Sequence, residues 1–403
     1  MPFPRALLIL PVLASNLAAA TSAATLRGVI AHGAGAQVVL LHPVSGFRRA
    51  IQADAQGTFV FHNVPFNDYH LEVKAPGHQE LHQDVELRST LPVTLQLALQ
   101  PAGTVVEVTE RLSLVETHPT VHLDVDSSLI RLTPAPVQSR AMEAILLATP
   151  GFVANDNGRF HFRGSHGQLT YVIDGVPLSD QTHATFSNSL DPAQVQSMEV
   201  LTGGIPAEYG GKPVAVVNLT TKSGLGAERS ESEASFGAGS AATREGAFSF
   251  RTGTSTFGAF VTGAASSTDR FLDPPDFENR HNQGRTNRLF SRFDWVLSDR
   301  DTLRVTVTGG DTDREVVNLA SQQERGADSR VRTTDVNVSA AWSHLFSDRQ
   351  SLDASVFFRR ATSRLTPTRE LQEGFEEGGP DQPVWARQQR SLENRGLYLA
   401  FNQ

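Results

Sequence analysis

The chain has 403 residues, a formal net charge of −8 and no cysteine. The acidic balance argues against nucleic acid as a main partner, and the lack of cysteine excludes disulfides and thiolate sites. Beyond the first few tens of residues no apolar run reaches the length of a spanning helix.

Arg5 supplies a minimal positive start, and Ala6–Ala14 is an apolar run that includes Pro11. Small residues follow, with Ala18-x-Ala20 and Ser22-x-Ala24 as candidate cleavage sites. Nine residues of helix span only about 13 Å, short of a ~30 Å hydrocarbon core. Residues 1–24 therefore read as a signal peptide, with the exported chain starting near Ala23 to Thr25.

From Thr25 to Leu99 short strand-like runs recur with turn signals between them: Leu26–Ile30, Ala36–Leu41, Thr58–Phe61, Tyr69–Val73 and Val93–Leu99. Ala53–Gly57 and Asn63–Pro65 read as turns. The spacing predicts an all-β sandwich of about seven strands. The string Asp54-Ala-Gln-Gly-Thr-Phe-Val-Phe61, Asn63-Val-Pro65, Tyr69-His-Leu-Glu-Val-Lys-Ala-Pro-Gly77 resembles the carboxypeptidase regulatory-like domain, with Asp68 where that family has glycine. His78, Glu80 and His82 share an i, i+2, i+4 spacing, so on a strand they would line one face. His and Glu can ligate zinc, but the regulatory-like module carries no catalytic zinc. The trio is read as a solvated polar face; no metal ligand, cofactor or catalytic residue is assigned. Neither H-E-x-x-H nor G-x-S-x-G occurs, which gives no support for a zincin or an α/β-hydrolase.

Pro101-Ala-Gly103 ends the sandwich pattern, and Thr104-Val105-Val106-Glu107-Val108-Thr109 is a β-prone run in the linker 100–112. Gln138–Ala148 places Met142, Ile145 and Leu146 at helical spacing and is stopped by Pro150-Gly151, predicting an amphipathic helix. Glycine turns and strand-like runs then alternate from Gly158 to Gly224. Asp174-Gly175 ends the strand Tyr171–Asp174. Asp191-Pro192 starts a helix of about two turns, before a strand at Met198–Leu201. Gly203-Gly204 and Gly210-Gly211 mark positive φ or close packing.

The order of these pieces resembles the plug domain of TonB-dependent outer-membrane receptors. The motif residues are Arg163-Gly164, Asp174-Gly175, Glu199 with Gly203-Gly204, Glu208 and Gly210 in A-E-Y-G, and Asn218 to Gly224. Lys212-Pro213 stands where the family has small residues. The resemblance implies a small α/β plug over 113–226. It also implies that Thr104–Thr109 is the TonB box, which pairs as an added strand with TonB, and that Arg163 and Glu199 meet charged partners on the barrel wall. TonB acts with ExbB and ExbD; the further implied partners are outer-membrane lipid and an extracellular small-molecule, glycan or peptide ligand.

After Gly224 strands alternate sharply. Leu303, Val305 and Val307 interleave with Arg304, Thr306 and Thr308; Val336, Val338, Ala340 and Trp342 interleave with Asn337, Ser339, Ala341 and Ser343. This is the pattern of a wall with one face to lipid and one to a lumen, and a hydrophobic content of 39% suits it. Val296-Leu-Ser-Asp-Arg-Asp-Thr-Leu303 is repeated as Leu345-Phe-Ser-Asp-Arg-Gln-Ser-Leu352. Both read as periplasmic hairpin turns, with Trp295 and Trp342 in an aromatic girdle. Residues 227–403 are therefore expected to form the first strands of an antiparallel transmembrane β-barrel. Roughly eight strands are expected, against about 22 in plugged transporters. With Gly396–Phe401 needing a neighbouring strand, the chain is expected to be the N-terminal portion of a longer receptor. The expected function is uptake of a scarce solute across the outer membrane, without enzymatic chemistry. The alternative is a structural or adhesive outer-membrane protein of the same architecture.

Overall fold

The computed structural model describes residues 23–102, 121–125, 127–133, 141–154, 160–162, 169–178, 190–205, 215–271, 281–317, 329–367 and 387–403. The first seven strands are β1 (Ala23–Ala31), β2 (Gln37–His42), β3 (Phe47–Gln52), β4 (Thr58–Pro65), β5 (Asn67–Lys74), β6 (Leu81–Leu87) and β7 (Val93–Ala98). They form a three-stranded sheet, β4-β1-β7, and a four-stranded sheet, β3-β2-β5-β6. Alternate residues of each strand meet in one core that includes Leu26, Ile30, Leu40, Phe61, Leu71 and Val73. Tyr69 packs edge-on against Phe47 and donates its hydroxyl to the Pro65 carbonyl at 2.8 Å, which satisfies the polar tip inside an apolar core.

Two departures from the sequence expectation concern this sandwich. Asn63–Pro65 is not a turn but the end of β4. Asn63 takes a left-handed φ of 52°, and the β1–β4 register shifts between Ala24 and Leu26. Asparagine is among the few side chains that tolerate that conformation, so the strand absorbs an irregularity and continues. The second concerns His78, Glu80 and His82. Strand β6 starts only at Leu81, and His78 lies before it in an isolated bridge to Pro101, so the trio does not share a strand face.

The next unit holds β8 (Val121–Val125), α1 (Ser127–Leu132), α2 (Ala141–Ala148), β9 (Phe152–Ala154), β10 (Phe160–Phe162), β11 (Leu169–Ile173), β12 (Val176–Leu178), β13 (Val195–Gly203) and β14 (Ala215–Thr221). Five of its strands form one mixed sheet, β12-β11-β14-β13-β8, in which β11 and β14 run parallel. Met142, Ile145 and Leu146 of α2 are buried with Val200, Val217 and Leu219 of the sheet, as the helical spacing predicts. The helix at Pro192 is shorter than expected. It is one 3-10 turn, Pro192–Gln194, capped by the Asp191 side chain on the Ala193 amide at 2.8 Å. Valine at position 195 already belongs to β13 and pairs with Thr221 of β14, so the sheet ladder ends the helix.

The remaining strands are β15 (Glu231–Ala238), β16 (Arg244–Gly253), β17 (Phe257–Thr268), β18 (Gly284–Ser298), β19 (Asp301–Glu315), β20 (Ser329–Ser347), β21 (Gln350–Pro367) and β22 (Gln388–Asn402). They pair in sequence order as one antiparallel meander, with β15 and β22 at its edges. Burial on this sheet is inverted relative to a soluble sandwich. Thr302, Arg304, Thr306 and Thr308 are buried, whereas Val336 and Val338 are 46% and 37% exposed and flank the buried Asn337. A sheet that hides its polar face and shows its apolar face is built for an apolar surround and a polar interior.

The repeated turns share their detail. The ladder slips between Val296 and Ser298 in one hairpin and between Leu345 and Ser347 in the other. Trp295 packs near Phe257 and Phe293, and Trp342 stacks near His344, so aromatic rings gather at the turn end of the wall. The sandwich sits at the same end. Arg27 pairs with Asp348, the Thr302 hydroxyl meets Asn63 Oδ1 at 3.3 Å, and Thr90 meets Ser351 at 3.1 Å.

Candidate functional site

The plug unit is fastened to the polar face of the wall by a buried set of charges. Asp174 and Gly175 connect β11 to β12 with φ of 48° and 84°. Two consecutive left-handed residues make the two-residue hairpin turn for which Asp-Gly is the preferred pair. The turn aims the Asp174 carboxylate back at β14. Oδ1 accepts from the Thr221 amide at 3.0 Å, and Oδ2 accepts from the Thr221 hydroxyl at 2.6 Å.

Two arginines reach this corner from the wall. Arg292 of β18 donates from Nη1 to Asp174 Oδ1 at 3.3 Å and to the Thr221 carbonyl at 2.9 Å. Its Nε and Nη2 hold Asp294 in a two-point pair at 2.9 and 3.0 Å. Arg304 of β19 donates to the Asp174 backbone carbonyl at 2.8 Å. Ser223, just after β14, donates to Asp294 from the plug side. Two carboxylates and two guanidiniums thus neutralise one another where water is nearly excluded; Arg292 is 1% exposed and Asp294 0%. Burial alone would push the Asp174 carboxyl up, but Arg292, Arg304 and the Thr221 hydrogen bonds outweigh it and hold the group below its ordinary range.

A second fastening lies nearby. While Asp191 Oδ1 caps the 3-10 turn, its Oδ2 takes Arg288 of β18 at 3.3 Å. Arg288, Arg292 and Asp294 fall on one face of β18 because they are an even number of residues apart. Beside them a cavity of about 760 Å³ opens between sandwich, plug and wall, lined by Asp191, Lys222, Glu245, Arg251 and Arg288 among others.

Of the motif residues, Asp174 and Gly175 form the heart of this site. Glu199 lies on β13, where its carboxylate meets Arg88 of the sandwich at 3.3 Å and Asn218 at 3.4 Å. It joins the plug to the N-terminal domain, while Asp174 and Asp191 carry the described plug carboxylate contacts to the wall. Gly203 closes β13 and Gly204 follows with a φ of 59°. Arg163, Gly164, Glu208 and Gly210 lie outside the described residues, as does Thr104–Thr109. Sequence reasoning missed Arg288, Arg292, Asp294 and Arg304. Their only signal was charge on the polar face of otherwise ordinary barrel strands.

Comparison with known proteins agrees with this geometry. Residues 28–100 match the family model of the carboxypeptidase regulatory-like domain, and residues 134–217 match that of the TonB-dependent receptor plug domain. The TonB-dependent transporter Oar of Myxococcus xanthus is 25% identical over 187 residues, covering 44% of this chain and 18% of Oar. The vitamin B12 transporter BtuB of Vibrio vulnificus (strain CMCP6) is 27% identical over 227 residues, covering 54% of this chain and 34% of BtuB. The chain therefore spans about a third or less of the length of these curated relatives. The crystal structure of the ferric-catecholate import receptor Fiu from E. coli K12 superposes with a TM-score of 0.52 at 14% identity, over 70% of this chain and 46% of that one, a likeness of fold. A regulatory-like sandwich, a plug-type unit and an inside-polar strand wall follow one another along this chain, and in that order it is similar to the TonB-dependent receptors.

Proposed function

We propose that this chain serves active uptake of a scarce solute across the outer membrane, with TonB as its energy-coupling partner. In this reading residues 1–24 direct export, 25–99 form the sandwich, 100–112 carry the TonB box, 113–226 form the plug and 227–403 contribute barrel wall. The observation that carries it is the Asp174–Arg292 contact, which seats a plug carboxylate on the buried polar face of a sheet whose other face is apolar and exposed. A transporter needs such a seat: the plug must close the lumen at rest and be movable under load. The sandwich and the short Ser-Asp-Arg turns share one end of the wall, which in this reading is the periplasmic end, where TonB would reach residues 104–109. Vitamin B12 and ferric catecholates are the cargo of the relatives; nothing carries either over to this chain.

The test is association with the C-terminal domain of TonB. Proline at the centre of a strand-forming box removes an amide donor, so Val106→Pro is expected to abolish crosslinking or pull-down. Unchanged association would remove Thr104–Thr109 as the box and leave a structural or adhesive role open.

A further inference from the structure

The outer face of the sandwich carries a grouping that the linear spacing conceals. Along the chain His82 is close to His78 and Glu80. Across the β5–β6 ladder it lies directly opposite Glu72, and His70 lies directly opposite Asp84. Tyr69, Leu71 and Val73 point into the core, so His70 and Glu72 share the opposite face with His82 and Asp84. Four side chains of metal-binding type thus form a two-by-two square on the edge pair of the sheet.

The ring orientations are those of a metal site. His70 Nε2 and His82 Nδ1 face one another at 3.2 Å, and the rings are stacked at 5.3 Å. Each ring turns its other nitrogen to a carboxylate: His70 Nδ1 meets Asp84 at 2.9 Å, and His82 Nε2 lies 3.8 Å from Glu80. Asp84 on His70 Nδ1 fixes the tautomer that leaves His70 Nε2 with its lone pair inward, the arrangement seen around metal-bound imidazoles, while Glu80 lies farther off on the outer side of His82. Without an ion the 3.2 Å contact is a hydrogen bond in which His82 Nδ1–H donates to His70 Nε2, and a bound cation would take the place of that proton. Tetrahedral zinc with Zn–N bonds near 2.0–2.1 Å would set its two nitrogens about 3.3 Å apart, close to the separation present here. A Glu72 oxygen completes the group, with the ligand atoms of His70, Glu72 and His82 all within 4.8 Å of one another.

We propose that His70, Glu72 and His82 bind a divalent transition-metal ion of the imidazole-preferring kind, with Asp84 and Glu80 as the orienting carboxylates. Two imidazoles and one carboxylate suit zinc, copper or nickel better than magnesium or calcium, which prefer all-oxygen sets. Lys74 now sits 2.8 Å from Glu80 and 3.9 Å from Glu72 and would swing from Glu72 as the ion enters. Three protein ligands leave at least one position for water, so the site is open to exchange. The bound ion would tie edge strand β6 to β5.

The experiment uses the tag-free full chain in detergent, stripped with a chelator and titrated with zinc chloride by calorimetry. One saturable site of micromolar affinity or tighter is expected. His82→Ala and Glu72→Gln should each weaken it at least tenfold, and His78→Ala should leave it unchanged because His78 lies outside the square with its Nδ1 on the Pro76 carbonyl. All three positions are at the surface, and unchanged circular dichroism checks that each variant is folded. No saturable binding, or equal affinity in His82→Ala and Glu72→Gln, would overturn the proposal.

Discussion

Asp174 shows how much a single carboxylate can organise when it is buried with its partners. Removing one member of such a set leaves the other charge uncompensated in a dry site, at a cost of about 3–5 kcal/mol. Asp174→Asn keeps the shape and removes the charge from beside Arg292 and Arg304. It should lower the denaturant midpoint for plug release and expose plug sites to protease while the wall stays intact. An unchanged midpoint would mean that the ion pair adds nothing to the seat. At the other end, burial pushes the His62 imidazole down to about 4. Between about 4 and the ordinary 6.5 the unfolded chain then binds the extra proton and the folded chain does not. Stability contributed by neutral His62 is thus complete above 6.5 and declines as pH falls toward 4, by roughly 3 kcal/mol in all. Burial lowers His42 too, with the same sign. Thermal melts of wild type and His62→Gln between pH 4 and 7.5 check this: the substituted protein should show a clearly shallower loss on acidification.

Elements with a strong period were legible before the fold was seen, and those whose form depends on a neighbour were not. Helix α2 was marked by Met142, Ile145 and Leu146, and the Asp174-Gly175 hairpin by its turn chemistry. Strand β3 was missed because Phe47–Gln52 carries Arg48 and Arg49 side by side and only the paired sheet makes it a strand, whereas a surface strand was expected at His78–His82 and β6 starts only at Leu81. Helix α1 is six residues long, too short for a period to declare itself. Asn63-Val-Pro65 looked like a turn because asparagine and proline favour turns, yet pairing with β1 holds it in β4. The left-handed Asn63 makes this testable. Asn63→Gly loses the Thr302 contact but no backbone freedom, whereas Asn63→Val loses the same contact and, β-branched at positive φ, should cost about 1–2 kcal/mol more. Chemical denaturation distinguishes the two, and equal effects would argue against the bulge. In the candidate site the plug half was legible, since Asp174 sits in a recognisable motif. The wall half was not, because a partner chosen 118 residues away leaves no local trace.

At the scale of the molecule, one arrangement joins three units: a plug sheet seated on the polar side of a strand wall, with a sandwich docked where the short turns gather. The alternation along β19 and β20 was readable as a two-faced wall, but which face the plug would cover was not written in the alternation. It follows from where Arg292, Arg304 and Asn337 are buried and where Val336 and Val338 are bare. The absence of cysteine makes the face assignment directly measurable. Single cysteines placed in turn at Val305, Thr306, Val336, Asn337 and Val338 of the membrane-inserted protein can carry a fluorophore. Quenchers borne on lipid tails should then darken labels at 305, 336 and 338 and spare those at 306 and 337. Equal quenching at all five positions, or quenching at none, would contradict a wall with lipid on one side and a plugged lumen on the other.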